Sequence, residues 1–238
     1  MITQYVLTLD TALPADAAYA LYSVLLNAMP KSLSDRLHNS DDLPICQYVA
    51  DHCWYLSLMG DRCSSEIASA VSTLDEVMLH RYHKIVCILK QETRCAAGPE
   101  FFLEKSLPTA LTLHLQTPTA FKSANQYQLL PTQQLIVNSL IQKWNSCFGE
   151  ECPIEDEGGG AEALAQGLQY HSIHLDTGHF RMKGVEIPGT VGTIQIKNHL
   201  TGFHRQLADA LLQFGTYSGI GIKTRLGMGG IRLEGGKK

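Results

Sequence analysis

The stretch YSGIGIKTRLGMGG, residues 217–230, is rich in glycine and carries Lys223 and Arg225. Before it, apolar residues recur at helical spacing (Phe203, Leu207, Leu211 and Phe214). The sequence IRLE after it, residues 231–234, is typical of a short strand. We therefore predict that this stretch is the loop between the last helix of the chain and its last strand.

A glycine-rich loop with a lysine often binds a phosphate group, and two common types can be tested by spacing. A P-loop requires lysine directly after its second conserved glycine, whereas Ile222 separates Gly221 from Lys223. The dinucleotide fingerprint requires a preceding strand and a third glycine, but a helix precedes this loop and Thr224 occupies the third position. The stretch therefore binds a different phosphate group, or its glycines only allow the backbone conformation of the loop.

The same order of elements occurs twice along the chain. In the first half we expect strands at 4–10, 54–60 and 83–91, with room for one more, and helices at 14–30 and 64–74. In the second half we expect strands at 110–116, 168–175, 190–198 and 228–234, and helices at 131–144 and 203–214. This order is close to the ferredoxin-like plan. We predict an α+β protein of two tandem ferredoxin-like (βαββαβ) domains, residues 1–105 and 106–238.

Composition excludes several classes of protein. The chain has 238 residues, 45% of them hydrophobic, and a net charge of −4. It contains no run of about 18 apolar residues, and its start, MITQYVLTLDTALP, lacks the regions of a signal peptide. The seven cysteines are odd in number and include no C-x-x-C pair. We expect a cytoplasmic protein with reduced thiols, no membrane partner and no metal site.

Positive charge is concentrated near the C-terminus. Residues 197–238 hold seven lysines and arginines against Asp209 and Glu234, whereas the preceding residues are acidic overall. A basic segment on an acidic body can form an anion-binding face. A local accident of composition with a solvated Lys-Lys tail explains the charge equally well.

Two blocks of sequence resemble a known family. The first is QTPTAFKSANQYQLLPTQQLIVNSLIQKWN (116–145), and the second is FGTYSGIGIKTRLGMGGIRL (214–233). In this order they resemble the CRISPR-associated endoribonucleases of the RAMP superfamily, which process repeat transcripts into guide RNAs. The resemblance implies two ferredoxin-like domains and no cofactor. It also implies CRISPR repeat RNA as partner, other effector-complex subunits as further partners, and metal-independent cleavage to a 2′,3′-cyclic phosphate and a 5′-hydroxyl.

The resemblance offers two candidate catalytic residues. DRLHNSDDLPICQYV (35–49) is similar to the segment that carries the family's histidine, which places His38 in a polar loop as acid or base. Histidine suits proton transfer because its ordinary pKa is about 6.5. Tyr22, from the first helix, is a candidate partner, although its place on the apolar stripe also fits a core aromatic. Many members have a lysine after the histidine, whereas Asp41 and Asp42 stand here.

The candidate RNA-binding residues lie in the glycine loop and in a predicted hairpin. In the loop and the strand after it they are Gly219, Gly221, Lys223, Arg225, Gly227, Gly229 and Arg232. We expect the N–H groups of 219–225 to turn toward a phosphate, while Gly227 and Gly229 serve packing. Arg181 and Lys183, in the turn-like GHFRMKG, offer a second phosphate contact.

Three functions remain open at this stage. The first is cleavage of CRISPR repeat RNA, and the second is a subunit that holds guide RNA without cutting it. The third is an unrelated tandem ferredoxin-like enzyme that acts on a small phosphorylated ligand. Cleavage in EDTA separates the first from the second, and preference for a mononucleotide over repeat RNA marks the third.

Overall fold

A computed structural model describes residues 1–39, 45–60, 64–123, 126–156 and 158–235, without the side chains of residues 38, 39 and 64. The first half begins with β1 (Ile2–Leu9), α1 (Ala17–Asn27), α2 (Lys31–Asn39), β2 (Ile45–Ala50) and β3 (Cys53–Met59). It continues with α3 (Ser64–Ser72), β4 (Glu76–Leu79), the 3₁₀ turn η1 (His80–Tyr82), β5 (Lys84–Ala96) and α4 (Glu100–Leu103).

The second half contains the two longest strands, β9 (Leu168–Met182) and β10 (Val185–Asn198). It begins with β6 (Ala110–Thr119), β7 (Phe121–Ser123), β8 (Gln126–Gln128), α5 (Gln133–Phe148) and α6 (Gly160–Gly167). It ends with β9 (Leu168–Met182), β10 (Val185–Asn198), α7 (Gly202–Ser218), the 3₁₀ turn η2 (Thr224–Leu226) and β11 (Ile231–Gly235).

The two main sheets share one strand order. The first sheet runs β2-β3-β1-β5-β4 and the second runs β11-β6-β10-β9, with every pairing antiparallel. In both, the first strand lies between the last and the third, and β4 is an addition beside β5. This arrangement confirms the predicted pair of ferredoxin-like folds. The sheets draw on residues 2–96 and 110–235, and the domain boundary at 105 stays a prediction.

Two elements of the first half differ from expectation. Residues 31–39 form helix α2 instead of a polar loop, because Leu33 and Leu37 are four residues apart and both are buried in the first core. The helix begins where the Leu33 and Ser34 amides donate to the Pro30 carbonyl. The further strand for which the first half has room is β2, whose position was not predicted because polar Gln47 interrupts its apolar pattern.

The acidic, glycine-rich composition of residues 149–163 is typical of a mobile loop, but the described residues next to α5 are held by hydrogen bonds. Asn145 exchanges two hydrogen bonds of 2.8 Å with the backbone of Ile154, and Trp144 Nε1 donates to the Cys152 carbonyl at 2.8 Å. Helix α6 then packs against α5. Trp144 and Asn145, which belong to the triplet KWN (143–145), therefore anchor this segment.

The glycine-rich loop, residues 219–230, joins three apolar clusters. Ile220 belongs to the core of the second half, whereas Leu226 packs against the core of the first half. Met228 belongs to a small third cluster with Phe180 of β9. The loop is therefore a structural junction between the halves. Within the described ranges, no helix has the length and apolar composition needed to cross a membrane.

Candidate active site and RNA interface

The glycines of the loop permit close contact within the protein. Gly227 has φ 117°, and a Cβ added there would lie 2.4 Å from Ala18 Cβ of α1. Gly229 has φ 71°, and its added Cβ would lie 2.0 Å from the Ile220 carbonyl oxygen. Only glycine combines this backbone conformation with so little space. These contacts agree with the packing role expected for Gly227 and Gly229.

Most loop amides already have acceptors inside the protein. Gly219, Ile220, Ile222, Met228 and Gly229 donate to backbone carbonyls. Gly221 N donates to Ser139 Oγ, and Gly230 N donates to Thr117 Oγ1. The expectation that successive N–H groups of 219–225 turn toward a phosphate is therefore wrong for 219–222. Gly219 and Gly221 serve the loop's own geometry, and the side chains of Lys223 and Arg225 are the better candidates for RNA contacts.

Arg225 extends from the loop to the first half of the chain. Its Nη1 donates to the Leu37 carbonyl of α2 at 2.8 Å. Its own carbonyl accepts a hydrogen bond of 3.2 Å from Gln47 Nε2, which also donates to the Ala18 carbonyl of α1 at 2.8 Å. Trp54 Nε1 donates to Gln47 Oε1 at 2.6 Å. Gln47 therefore joins the loop to the helix that carries Tyr22.

Tyr22 lies in the first core but keeps a polar group without a partner. The side chain is 5% exposed, and its hydroxyl has no hydrogen-bond partner among the described residues. Burial raises the pKa of this hydroxyl, and the nearby positive charge of Arg225 opposes that rise. The burial of the ring fits the core-aromatic alternative, and the buried hydroxyl has no partner among the described residues.

His38 is carried by the last turn of α2. Its backbone follows Leu37, the residue whose carbonyl accepts from Arg225. The His38 side chain lies outside the described residues, as do Asp41 and Asp42. The backbone positions of His38 and Tyr22 belong to neighbouring helices of one core, and Arg225 contacts both regions.

The predicted hairpin is formed by β9 and β10. Lys183 lies in its turn with φ 48°, and Arg181 is exposed, with Nε 2.6 Å from Glu186 Oε2. Arg81 of η1 donates to the Arg181 carbonyl at 2.8 Å, which ties the hairpin to the first half. Both basic residues therefore lie on an accessible edge.

Arg232 occupies a different surface, the open face of the second sheet. It is exposed on β11 and lies opposite His114 of β6, which in turn lies opposite Thr193 of β10. His114 Nε2 is 3.1 Å from Glu234 Oε2. The sheet face is therefore polar and mixed in charge. Among the described side chains, no group of three or more His, Cys, Asp or Glu residues has the arrangement of a metal site.

Four buried polar residues near the loop were missed by sequence reasoning. Gln47 is 1% exposed, Thr224 is 2% exposed, Cys46 is 4% exposed and Lys143 is 8% exposed. Lys143 belongs to the KWN triplet, so a charged residue within an apolar helical stripe was the signal that could have found it. The other three carry no comparable signal in the sequence.

The match to a family model follows the block from β6 to β11. Residues 113–231, half of the chain, match the model of the CRISPR-associated endoribonuclease Cas6. The chain belongs to the Cas6 family. The Cas6 endoribonuclease of Streptococcus thermophilus is 28% identical over 225 residues, which cover 92% of each chain. That of Mycobacterium tuberculosis, strain CDC 1551 / Oshkosh, is 23% identical over 98% of this chain and 78% of its own length.

Solved structures of the family share the fold. A Cas6 product complex superposes with a TM-score of 0.77 at 22% identity and covers 98% of this chain and 100% of its own. Thermus thermophilus Cas6 gives a TM-score of 0.71 at 22% identity over 98% of each chain. A Cas6-related protein of Pyrococcus furiosus gives 0.63 at 11% identity over 98% of this chain and 99% of its own. These likenesses confirm the tandem ferredoxin-like fold.

Proposed function

We propose that this Cas6 chain cleaves CRISPR repeat RNA without a metal ion. The 2′-hydroxyl beside the cleaved bond attacks phosphorus, the 5′-oxygen leaves, and the products carry a 2′,3′-cyclic phosphate and a 5′-hydroxyl. His38 acts as the general acid or base. Membership of an endoribonuclease family supports RNA cleavage, and the metal-independent chemistry is what the resemblance of the two sequence blocks implies.

This proposal rests on the contact between the Arg225 side chain and the end of α2. The guanidinium donates to the carbonyl of Leu37, directly before His38, and its charge acts on the Tyr22 hydroxyl. A loop residue from the second half therefore contacts the backbone directly before His38 and lies near enough to Tyr22 for its charge to act there. A guanidinium at this point stabilises the negative charge that develops on the phosphate oxygens.

The histidine supplies proton transfer and the rest of the site supplies orientation. General acid–base catalysis by a positioned side chain contributes about 10²–10⁴ in rate. In-line orientation of the ribose and phosphate must supply much of the remainder. The Tyr22 hydroxyl, which lacks a partner among the described residues, is suited to orient His38 or the ribose.

The remaining basic residues bind the RNA backbone in this proposal. Lys223, at the rim of the loop, and Arg181 and Lys183, on the hairpin, contribute phosphate contacts, and Arg232 contributes one on the sheet face. Such contacts position the RNA but carry no sequence information. Cytoplasmic action and a complex with other effector subunits stay predictions.

The test uses labelled repeat RNA in EDTA with the wild type, His38→Ala and Tyr22→Phe. We expect the wild type to cut and the product to carry a 2′,3′-cyclic phosphate, which mass spectrometry identifies. Loss of the His38 imidazole should slow cleavage by about 10²–10⁴. Loss of the Tyr22 hydroxyl should slow it by a smaller factor.

The other outcomes separate the remaining functions. Full activity of His38→Ala would remove this residue from the mechanism and leave RNA cleavage standing. Tight binding of repeat RNA without any cut would make the chain a guide-RNA-holding subunit. Cleavage that stops in EDTA and returns with Mg²⁺ would contradict the metal-independent mechanism.

A further inference from the structure

A buried lysine lies directly beneath the glycine-rich loop. Lys143 of α5 is 8% exposed, and its Nζ donates a hydrogen bond of 2.8 Å to Thr224 Oγ1. Thr224, the first residue of η2, lies in turn beside the Cys46 thiol of β2. We name the three neighbouring side chains of Lys143, Thr224 and Cys46 the clasp. It connects α5 of the second half, through the loop, to an edge strand of the first half.

The clasp contains a cation that has no carboxylate partner among the described residues. Within the described part of the chain, no carboxylate lies at ion-pair distance from Lys143. Burial lowers the pKa of its ammonium group. Burial also raises the pKa of the Cys46 thiol to about 11, so the thiol does not supply the missing negative charge near neutral pH. A buried ammonium with one neutral acceptor destabilises a fold relative to an apolar side chain of similar length. Stability therefore does not explain Lys143.

A contact that fixes Thr224 also restricts the backbone of the two basic residues beside it. It lies between Lys223 and Arg225, and Lys223 has φ 55°, a left-handed conformation that is costly for a residue with a side chain. The Thr224 methyl group would lie 2.9 Å from a Cβ added at Gly219 and 3.1 Å from one added at Gly229. The hydrogen bond from Lys143 fixes the Thr224 hydroxyl, and Gly219 and Gly229 leave space for the Thr224 methyl group. The Thr224 side chain is therefore held in one orientation.

The direction of Arg225 depends on the same turn. Its Nη1 reaches the Leu37 carbonyl at 2.8 Å, and a hydrogen bond at this distance is lost after a displacement of about 1 Å. Gln47 holds the Arg225 carbonyl from the side of the first half. Lys143 holds Thr224, one residue earlier, from the side of the second half. The turn is therefore fixed from both sides.

We propose that Lys143 is a positioning residue for RNA cleavage. It contacts no RNA; through Thr224 it holds η2 so that the Arg225 guanidinium meets the end of α2 that carries His38. This role rests on the proposed function, because it gives Arg225 a place in the cleavage site. It also accounts for a buried charge that the fold itself does not need.

The test compares Lys143→Met and Thr224→Val, which remove the two ends of the hydrogen bond while keeping volume. Thr224→Ser keeps the hydroxyl and serves as the conservative variant. Lys90→Met, at an exposed lysine of β5, controls for loss of one positive charge. The measurements are the single-turnover rate on repeat RNA, the affinity for the same RNA with a 2′-deoxy nucleotide at the cut, and Tm.

If Lys143 is a positioning residue, its loss should lower the cleavage rate but leave RNA affinity and Tm nearly unchanged. Lys143→Met and Thr224→Val should each slow cleavage by at least about 10-fold, while affinity changes by less than about 3-fold. The Tm of Lys143→Met should stay within about 2 °C of the wild type or exceed it. Thr224→Ser and Lys90→Met should cleave within about 3-fold of the wild type. The double variant should be no slower than the slower single variant, because both remove one interaction.

Each opposite result overturns the proposal. A wild-type rate in Lys143→Met removes the role altogether. Equal losses of rate and affinity indicate a direct phosphate contact, and a fall in Tm that accompanies the loss of rate indicates a purely structural residue. If Thr224→Ser is as slow as Thr224→Val, the hydroxyl is not the group through which Lys143 acts.

A measurement without cleavage keeps this proposal separate from the proposed function. In the RNA-free protein, amide hydrogen exchange across residues 219–230 should rise by about 10-fold or more in Lys143→Met and Thr224→Val, but not in Lys90→Met. Unchanged exchange overturns the clasp whether or not the wild type cuts RNA. If the wild type fails to cut while exchange rises, the proposed function and the catalytic role of Lys143 fall together, and only the loop anchor stands.

Discussion

Two buried polar clusters, one around Asp209 and the other the clasp around Lys143, differ in how their charge is compensated. Asp209 of α7 is 1% exposed and accepts hydrogen bonds from Arg205 Nε at 2.8 Å, Asn198 Nδ2 at 3.1 Å and Leu107 N at 3.1 Å. Lys143, by contrast, has the Thr224 hydroxyl as its acceptor. Among the described residues, the carboxylate is compensated by a cation and two neutral donors, whereas the ammonium is compensated by one neutral oxygen.

The positions of the two clusters explain the difference. The Asp209 cluster attaches the segment that joins the halves, because Arg205 Nη2 also donates to the Leu107 carbonyl at 2.6 Å. The clasp lies beneath the loop that carries Arg225. Removing one member of a compensated cluster leaves buried charged partners unpaired and is strongly destabilising, whereas removing an uncompensated charge also removes the cost of burying it. Removal of each should therefore have opposite consequences.

The largest effect is expected at Asp209. Asp209→Ala leaves Arg205, Asn198 and the Leu107 amide without their shared acceptor, and should lower the free energy of unfolding by about 3–5 kcal/mol. Urea unfolding followed by circular dichroism measures this change. Asp176→Ala, at an exposed residue of β9, is the control and should change stability by less than about 0.5 kcal/mol. A loss below 1 kcal/mol at Asp209 would contradict the assigned role of that cluster.

A second effect tests whether the loop is held by close packing as well as by the clasp. Gly227→Ala forces a side chain into φ 117° and against Ala18, and should lower the free energy of unfolding by about 2–4 kcal/mol. Gly184 is the matched control, because its φ is 74° but nothing lies within 4 Å of an added Cβ. Gly184→Ala should cost only about 1 kcal/mol. Equal losses of unfolding free energy in both variants would show that backbone strain, and not contact with α1, causes the loss at Gly227.

The third effect concerns the thiol of the clasp. Burial raises the pKa of Cys46 from 9.0 to about 11, so the folded protein keeps a proton that the unfolded chain loses. This contribution is complete below pH 9 and is lost as the pH rises from 9 to 11, by about 2–3 kcal/mol. The wild type should therefore lose that much stability relative to Cys46→Ala over this interval. Parallel stability curves would show that Cys46 titrates normally.

The smallest change in stability is expected at Lys143. Lys143→Met should lie within about 1 kcal/mol of the wild type at pH 7, or be more stable, because it removes a buried ammonium. The folded pKa of Lys143 is lowered from 10.5, so the wild type becomes more stable relative to this variant as the pH rises from that lowered value toward 10.5. A loss as large as that of Asp209→Ala would abolish the contrast between the clusters.

The fold was largely predictable from the sequence because its signals are local. The strict alternation of Leu111, Leu113 and Leu115 predicted β6, and all three are buried. Helical spacing predicted α7 in the same way, although Phe203, at its start, is 68% exposed. Periodicity reports which face of an element is apolar, but not where the partner surface ends.

The candidate site was only partly predictable. Arg225 and Tyr22 were singled out, and the structure brings them close together. The loop amides were expected to face a phosphate, but those of 219–222 are used inside the protein. Spacing shows that glycines are present; only the neighbouring chain shows which acceptors their amides meet.

The sequence by itself determined the repeated order of the main strands and helices, apart from α2 and β2, together with the family and the presence of a basic glycine-rich loop, because each depends on residues close together along the chain. Only the tertiary structure decided that the loop is a junction of three cores, that Gln47 and Lys143 hold it from opposite sides, and that Arg225 meets the end of α2. These contacts join residues 81 to 188 positions apart. Pairings at such separations arise from the packing of complete elements and leave no periodic trace in the sequence.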